Sequence, residues 1–591
     1  MLRGAFLTLA LAAAPAAAQC VDPPSLFRVG ATQPSTTIQA ALVLAEAYAL
    51  ANPGTVPQVL VDPGTYAGPI TFPAGVDIVL RGNRFDPCGQ VITGTPGSGS
   101  TITVSGGQTT ATVIEGFDIR GGGGAIFGDV MSIVSASPTV QWNIISNGFA
   151  GLQGGGIFAS VSSPVIRRNV FHTNFTNGDG GGIALLGCTA LVEENQFVGE
   201  AKTCLDWGGV FANICDFIGG AIASLNGDAS TIQGNLIRQN RARAGAGIGV
   251  LDSSPTIHGN RILENGIWDE VDFGGGINLE NSAACVTSNV IAYNGRIGGE
   301  DCAAALEGGG VYIDGGTPTL LNNTIYGNLT LGNLWDQSRG GGVYLTAGAN
   351  ALLINNLVWG NTADIDPQIG TGFATSSQSS NCIEGGGAPF DFDCLDPGLI
   401  DPAGFDFHLT YGSELRDAGE DVTSICAEST DFEGDPRSVA FDGGMAFRDI
   451  GADEYDTHAY YVGDVITPTS SEGTVRVIDA PGLLTGLYYS ALLLSPGFEV
   501  PVGPFGDVWL LGLNTVLECD FDPLIVETPV FATYADAGGA FKTTNADGYS
   551  EWATPILPTP LACAFTVYFQ GLIQVPPGAL RATNAEALPL Q

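Results

Sequence analysis

The sequence predicts an all-β fold built as a solenoid, in which short strands stack coil upon coil. Three observations lead to this prediction. A segment that carries two asparagines recurs from about residue 140 onward, apolar strands introduced by glycines alternate with it, and the repeated region contains no run of helical periodicity. A unit that recurs in this way buries its apolar side chains only by stacking on its neighbours.

The recurring segments set the size of the coil. Their first asparagines lie at residues 143, 169, 195, 235, 260, 289, 323 and 356, so successive intervals are 26, 26, 40, 25, 29, 34 and 33 residues. These intervals fit a minimum coil of about 25 residues with loops inserted at one corner. Coils stacked about 4.8 Å apart pair their backbone groups with the coils on either side.

The asparagines and glycines are explained by the coil itself. Stacked asparagine side chains at a corner hydrogen-bond to one another and to the turn backbone, and asparagine tolerates the left-handed conformation. The glycine triplets, such as GGGINL at 274–279, fit a tight turn. No lysine or helix follows them, which excludes a phosphate-binding loop.

Length and composition place this solenoid in a larger chain. The protein has 591 residues, of which 45% are apolar, 14% are charged and 85 are glycine. Such a length predicts more than one domain, and such a glycine content suits many tight turns.

The charge excludes several partners. The chain has 60 acidic and 20 basic residues, a net charge of −40. Nucleic acids and anionic membranes are therefore excluded as partners, whereas Ca²⁺ remains a candidate. An acidic surface that keeps a secreted protein soluble is the simpler interpretation. Only Lys202 and Lys542 are lysines, which argues against lysine-based catalysis.

Residues 1–18 have the pattern of a secretory signal peptide. One arginine and an apolar run lead to three alanines, so we expect cleavage after Ala18. No later stretch is long and apolar enough to be predicted as a transmembrane segment. We therefore expect a soluble protein, secreted or associated with the cell surface.

The twelve cysteines all follow this signal and predict disulfides. Pairs that are near in sequence are expected to be bonded: Cys204–Cys215, Cys285–Cys302, Cys382–Cys394 and Cys519–Cys563, with Cys20–Cys88 as a further pair. Cys188 and Cys426 are left over. No cluster has the spacing of a zinc site.

The repeat resembles the right-handed parallel β-helix of the pectin-lyase-like superfamily. The N-terminal stretches TTIQAALVLAEAYALANPG and VLVDPGTYAGPITF are similar to the helix that caps such a coil and to its first turn. Thr36 and Gln39 have the spacing of a capping box. An apolar face fits a plug over the open core: Ile38, Leu42, Ala45 and Ala49.

Residues 395–456 resemble a choice-of-anchor Q domain, on the stretches LDPGLIDPAGFDFHLTYGSELRDAGED, TDFEGDPRSV and RDIGADEY. That family follows β-helices in bacterial surface proteins, is named for its varied anchors and has no established catalytic role. The predicted order is a β-helix with its cap at 19–394, this segment, a linker at 457–474 and a small β-sandwich at 475–591.

One outward column of the coil is a candidate sugar-binding face. Strand alternation directs Phe171, Ile237, Ile262, Ile291, Ile325 and Val358 inward. The next position then points outward, and it holds His172, Arg238, Leu263, Ala292, Tyr326 and Trp359. Aromatic rings stack on sugars and arginine binds carboxylates. In the pectin-lyase-like superfamily, substrates commonly lie along an outer strand face. The alternative is a half-buried face that loops cover.

The inserted loops carry a second set of candidates. A tryptophan beside an aspartate recurs as Asp206-Trp207, Trp268-Asp269 and Trp335-Asp336. The tryptophans are candidate substrate-binding residues. The candidate catalytic residues are Asp206, Asp269, Glu270, Asp336 and Arg339, with Arg339 as a base or as a ligand of uronate. Asp269 and Asp272 are candidate Ca²⁺ ligands. The alternative is that each tryptophan anchors its own loop and each aspartate caps a turn.

These observations predict a secreted or cell-surface monomer that binds polysaccharide, or another extracellular surface, through one flank of the coil. A polysaccharide lyase or glycoside hydrolase is the first alternative, and a structural spacer without ligand is the second. The sequence lacks the paired-aspartate and histidine–glycine blocks of polygalacturonases and the DPHE stretch of alginate epimerases. No cofactor is predicted with certainty beyond the candidate Ca²⁺, and a fold alone does not define an activity.

Overall fold

The structure, a computed structural model, describes residues 23–455 and the backbone of strands between 459 and 590. Within 23–455 the description omits residues 85–86, 200–213, 216, 268–272, 296–305, 333–335, 373, 387–391, 423–424, 428 and 438–447.

The described coil is a parallel β-helix, because each strand pairs in parallel with the equivalent strands of the coils before and after it. Three long sheets and one short sheet run along it. Sheet A contains the strands Leu26–Val29, Gln58–Val61, Val79–Arg81, Val113–Glu115, Thr139–Gln141, Val165–Arg167, Leu191–Glu193, Thr231–Gln233, Thr256–His258, Cys285–Thr287, Thr319–Leu321, Asn350–Ile354 and Thr375–Ser379.

Sheet B follows sheet A in each coil. It contains the strands Gly64–Ala67, Gln90–Thr93, Asp118–Arg120, Ile144–Ser146, Val170–His172, Gln196–Val198, Leu236–Arg238, Arg261–Leu263, Val290–Ala292, Thr324–Tyr326, Leu357–Trp359, Cys382–Glu384 and Phe392–Cys394.

Sheet C closes the coil. It contains the strands Ile70–Thr71, Ile102–Ser105, Met131–Val134, Ile157–Ser160, Ile183–Leu186, Ile222–Leu225, Ile248–Leu251, Ile277–Ser282, Val311–Gly316, Val343–Leu345 and Ile369–Thr371. The short sheet D lies between B and C, with the strands Ala125–Phe127, Phe149–Gln153, Phe175–Thr176, Ile214–Cys215, Arg241–Ala242 and Gly266–Ile267.

The core confirms the predicted register. The inward column has no solvent exposure at any of its members: Phe171, Ile237, Ile262, Ile291, Ile325 and Val358. Ile262 pairs with Ile237 on one side and with Ile291 on the other. Phe171 stacks on Phe197 with ring centres 4.5 Å apart. Because each inward column is apolar from coil to coil, the core is packed by apolar contacts along the axis.

The predicted asparagine stacks form two hydrogen-bonded ladders. In the first, each Nδ2 donates to the Oδ1 of the next asparagine, and Asn260 reaches Asn289 at 3.0 Å. The same Nδ2 also donates to the carbonyl oxygen of Ile232 at 2.8 Å. Side-chain amides thus satisfy buried backbone groups that turns would otherwise leave unpaired.

The sequence predicted that the ladder asparagine takes the left-handed conformation in each turn. That prediction is wrong, because the residue directly before the asparagine takes it. Trp142 and Arg168 have φ of 57° and 54° ahead of Asn143 and Asn169. The glycine turns behave as predicted: Gly274 has φ +64°, and a Cβ on Gly276 would lie 2.6 Å from the carbonyl oxygen of Gly310.

A helix, Ile38–Ala51, covers the first coil with Ile38, Leu42 and Ala45 buried. Its N-cap is Thr37, whose side chain accepts from the Ala40 amide at 3.2 Å. The predicted Thr36–Gln39 capping box is therefore wrong. Gln39 instead donates to the carbonyl of Thr71 and accepts from the Thr71 amide, which joins the helix to the start of sheet C.

Residues 395–455, here called the end segment, pack against the outer face of sheet B. The segment contains an antiparallel pair, Leu399–Asp401 and Asp406–Leu409, joined by the 3-10 turn Pro402–Gly404; a second 3-10 turn, Pro87–Gly89, lies in the coil. Phe407 and Ala452 form an apolar cluster with Leu263, Val290 and Ala292 of sheet B.

Two disulfides are described in full. Cys382–Cys394 is confirmed. The predicted Cys285–Cys302 pair is wrong, because Cys285 is bonded to Cys426 of the end segment. Cys426 is therefore not left over, whereas Cys188 is a buried free thiol as expected. Cys88 is disulfide-bonded, and Cys20, Cys204, Cys302, Cys519 and Cys563 lie outside the described residues.

After residue 455 the described strands pair antiparallel, as expected for a β-sandwich. They are Ala459–Val462, Glu472–Ile478, Leu484–Ser490, Leu494–Ser495, Glu499–Pro501, Asp507–Trp509, Gly512–Thr515, Val526–Pro529, Lys542–Thr543, Tyr549–Pro555, Phe565–Val575 and Ala579–Leu590. Among the residues that the structure describes, no helix is long and apolar enough to cross a bilayer.

Candidate functional site

The outward column of sheet B lies largely beneath the end segment. The guanidinium of Arg238 lies 4.7 Å from the ring centre of Phe405 and is bonded to Glu264 at 2.8 Å. Tyr326 meets Phe407 edge to face, with ring centres 5.7 Å apart. Leu263 and Ala292 have no exposure. These members of the column hold the end segment on the coil.

The two ends of this column have different surroundings. Trp359 is partly buried against a second apolar cluster, which Leu409 and Ile450 of the end segment share with the coil. His172 contacts Thr173 through Nδ1 at 3.0 Å, and burial lowers the pKa of its imidazole, an effect that nearby Asp118 opposes. The column is thus not one continuous open surface.

The inserted loops begin and end at the corner between sheets B and C. Asp206, Trp207, Trp268, Asp269, Glu270, Asp272 and Trp335 lie outside the described residues. Their flanking residues are described: the insert at 268–272 returns to the coil at Phe273, and the insert at 333–335 leads into Asp336 and Arg339. The backbone of Phe273 forms a parallel β-bridge with that of Glu307, and the backbone of Glu307 forms one with that of Arg339. The inserts therefore rejoin the coil beside sheet C.

An aromatic stack lies on the outer face of sheet C beside this corner. Tyr312 pairs with Tyr344 in register, and their rings stack with centres 6.1 Å apart. The ring of Phe273 stacks on the other side of Tyr312, at 4.9 Å. A Cβ on Gly370 would lie 2.8 Å from Cδ2 of Tyr344, so that ring lies close against bare backbone. The stack is fixed on both sides and has little freedom to reorient.

Charged groups surround the Tyr344 end of this stack. The Tyr344 hydroxyl lies near the side chains of both Glu307 and Arg339; burial raises its pKa, the charge of Glu307 raises it further, and Arg339 acts in the opposite direction. Burial raises the pKa of Glu307, and Asp314 and Asp336 raise it further, while Tyr344 and Arg339 act in the opposite direction. Arg339 and Asp336 are exposed, and Glu307 is half-buried. We call Phe273, Glu307, Tyr312, Arg339 and Tyr344 the sheet C patch.

Polar groups continue along the same face. Asp314 accepts from the Thr346 hydroxyl at 2.5 Å, and Asn278 donates to Glu280 at 2.9 Å. Burial raises the pKa of Tyr312, and the charges of Asp314 and Glu307 add to this effect. The hydroxyl of Tyr312 therefore stays protonated well into the alkaline range.

The structure brings together two of the predicted residues, Asp336 and Arg339, and adds Glu307, Tyr312 and Tyr344. The sequence contains a signal for the tyrosines, since GGGVYI and GGGVYL place them at one outward position of successive coils. Glu307 is two residues beyond an insert whose length differs from coil to coil. The sequence therefore does not show that Glu307 aligns with Arg339, and the backbone β-bridge between them does.

Comparison with known protein families finds a match within the coil. A family described as "Right handed beta helix region" matches residues 132–385. This stretch is a right-handed parallel β-helix. The match confirms the handedness that the pectin-lyase-like resemblance implied. It does not reach the end segment, whose likeness to choice-of-anchor Q domains stays a prediction.

Solved structures with a similar chain course include enzymes and a viral protein. A pectin methylesterase from Aspergillus niger is 12% identical, over 51% of this chain and 85% of its own, with TM-score 0.24. The A-module of a mannuronan C-5 epimerase from Azotobacter vinelandii is 14% identical, over 59% and 96%, with TM-score 0.23. Tailspike protein 2 of an Escherichia coli O157:H7 bacteriophage is 10% identical, over 94% and 66%, with TM-score 0.27. No curated protein matches the sequence.

Proposed function

We propose that this protein is secreted and binds an extracellular polysaccharide through the sheet C patch of its β-helix. The observation that carries the proposal is the cluster of the Tyr344 hydroxyl, the Glu307 carboxyl and the Arg339 guanidinium at the corner where the inserts rejoin the coil. Fixed donors and acceptors beside aromatic rings are what sugar hydroxyls require.

The charge of the patch favours a neutral polysaccharide. Among the described residues, Glu307, Asp314 and Asp336 are three acids close to the guanidinium of Arg339. The whole chain carries a net charge of −40. A uronate polymer would be repelled by the acids of the patch and by the net charge of the whole chain, whereas a neutral glycan would not.

The inserts would complete such a site. Trp268 and Trp335 belong to inserts whose described ends are Phe273 and Asp336. In this proposal their rings stack on sugar faces, while the patch bonds the hydroxyls. This division of work is needed because Tyr312 and Tyr344 are only 8% and 6% exposed and cover each other's faces.

A binding comparison tests the proposal. Neutral and uronate glycan arrays are probed with the wild-type protein, with Arg339→Gln and with the matched control Arg416→Gln, an arginine of the end segment that lies over Tyr455. We expect Arg339→Gln to weaken binding about 10-fold, the loss of one charge-assisted hydrogen bond. Binding that Arg339→Gln leaves unchanged, or that only Arg416→Gln weakens, would contradict the proposal.

Glycoside hydrolysis at the same patch is a second candidate, favoured by the environment of Glu307. A half-buried carboxyl with a raised pKa beside a second carboxylate is the pattern of a general acid and its partner. Glu307 would donate the proton, and Asp336 or Asp314 would be the second carboxylate. Release of reducing ends by the wild type but not by Glu307→Gln would support hydrolysis. Binding without release by either protein would leave a binding protein.

A further inference from the structure

A histidine and two carboxylates converge inside the end segment, far along the chain from the sheet C patch. His408 lies on the strand Asp406–Leu409, Glu433 on the turn that follows Asp431, and Asp453 near the end of the segment. Their potential ligand atoms all lie within 4.8 Å of one another. His408 Nε2 is 2.9 Å from Glu433 Oε2.

The other side of the imidazole is already oriented. His408 Nδ1 is 2.6 Å from Oδ1 of Asp406, and the ring rests against Phe432 with centres 5.3 Å apart. A carboxylate that accepts the Nδ1 proton leaves the lone pair of a neutral imidazole on Nε2, facing Glu433 and Asp453. Such an arrangement is found behind most histidines that bind metal ions in proteins.

The charge around this group is out of balance. Among the described residues of the end segment, five acids are buried: Asp406, Asp431, Asp449, Asp453 and Glu454. The side chain of Glu433 is 17% exposed. The described buried bases are Arg437, Arg448 and His408. Acids therefore outnumber bases even when the imidazole is charged, and a buried surplus of one sign is costly unless protonation or a counter-ion offsets it.

We propose that His408, Glu433 and Asp453 bind a Zn²⁺ ion. One imidazole nitrogen and two carboxylates form a ligand set that suits first-row divalent ions, whereas Ca²⁺ prefers oxygen ligands alone. The partly exposed Glu433 gives the ion a way in. The ion would join the hairpin, the turn after Asp431 and the last stretch of the segment, and so fix the layer that covers sheet B.

The test measures metal content and affinity in the full chain. The purified protein is stripped with a chelator, dialysed and titrated separately with Zn²⁺, Co²⁺ and Ca²⁺ by calorimetry. We expect one Zn²⁺ to bind tightly and to raise the melting temperature. The Co²⁺ form is expected to show visible absorption from a nitrogen–oxygen ligand set. In Glu433→Gln, whose side chain is partly exposed and keeps its shape, we expect affinity to fall by about 100-fold or more.

A control is needed because so acidic a chain attracts cations at many places. Glu414→Gln alters an exposed acid of the same segment and should bind Zn²⁺ as the wild type does. Equal Zn²⁺ affinity in wild type and Glu433→Gln would overturn the proposal. So would Ca²⁺ binding in preference to Zn²⁺. Failure of any ion to bind would overturn it as well and would leave His408 as a charged bridge between Asp406 and Glu433.

Discussion

Cys285 of the coil and Cys426 of the end segment are joined by a disulfide that spans 141 residues of sequence. Cys285 begins a sheet A strand, and Val422 of the end segment packs on Leu321 and Ile354 of the same sheet, whereas Phe407 and Ala452 lie over sheet B. The bond thus fastens the segment around an edge of the coil. His258 and Thr430, whose side chains are bonded at 2.9 Å, add a polar contact beside it.

Breaking this bond should loosen the end segment before the coil. Because a disulfide restricts the unfolded chain more as its loop lengthens, we expect Cys426→Ser to lower the free energy of unfolding of the segment by about 3–5 kcal/mol. Limited proteolysis would show this as earlier cleavage between residues 395 and 455. The double variant Cys285→Ser/Cys426→Ser controls for a stray thiol, and equal protease resistance in wild type and variants would contradict the prediction.

The asparagine ladder predicts a large cost for losing one rung. Asn289 has no exposure, accepts from Asn260 at 3.0 Å and donates to Asn323 at 3.0 Å. We expect Asn289→Ala to destabilise the coil by about 3 kcal/mol, since it leaves buried polar groups without partners. Urea unfolding followed by circular dichroism measures the loss. Asn177→Ala, at an exposed asparagine of another coil, should cost far less.

Glu307 predicts a pH dependence of stability. Burial raises its pKa in the folded protein, so the native state holds this proton more tightly than the unfolded chain does. Its contribution is therefore fully present below the unfolded pKa and is lost as pH rises through the folded value. Glu307→Gln, which stays neutral, should remove that loss.

Unfolding in urea at several values between about pH 4 and pH 8 tests the Glu307 prediction. The stability of Glu307→Gln relative to wild type should grow as pH rises. Glu414→Gln, at an exposed site, should follow the wild-type curve. A difference in the free energy of unfolding between Glu307→Gln and wild type that stays constant across this range would contradict the prediction, because the folded and unfolded states would then bind the Glu307 proton equally tightly.

The tryptophans of the inserts predict where a glycan lies. If they face the sheet C patch, Trp268→Ala and Trp335→Ala should each weaken glycan binding by roughly 10-fold, about 1.4 kcal/mol. Trp359→Phe is the matched control on sheet B, where the ring packs against the end segment. If only Trp359→Phe loses glycan binding, the prediction is wrong and the binding site lies on the outward column of sheet B.

The sequence was most informative where one position repeats under one physical demand. The positions of Ile262 and Asn260 recur from coil to coil, because an inward side chain must be apolar and a corner amide must hydrogen-bond to the amide of the next coil. The spacing of these residues was therefore enough to predict the core and the ladders. The left-handed turn residue varies between Trp142, Arg168 and glycines, and so carried no pattern to detect.

Contacts between distant segments were beyond such reasoning. The column of Arg238 and Tyr326 has the composition of a sugar-binding face, but the same rings and guanidinium also suit packing against Phe405 and Phe407. Composition does not distinguish a ligand from another part of the chain. The pairing of Cys285 with Cys426 escaped for the same reason, since nearness in sequence favoured Cys302.

The second ladder has a direction as well as a repeat. From Asn240 to Asn361 each side-chain amide donates toward the C-terminal end, Asn361 donates to Gln368 at 2.8 Å, and Gln368 donates to the carboxylate of Glu384 at 2.6 Å. Aligned amides add their dipoles as peptide groups do along a helix, with the positive pole at the last donor. The coil therefore carries a polar axis of its own, and a carboxylate stands at its positive pole.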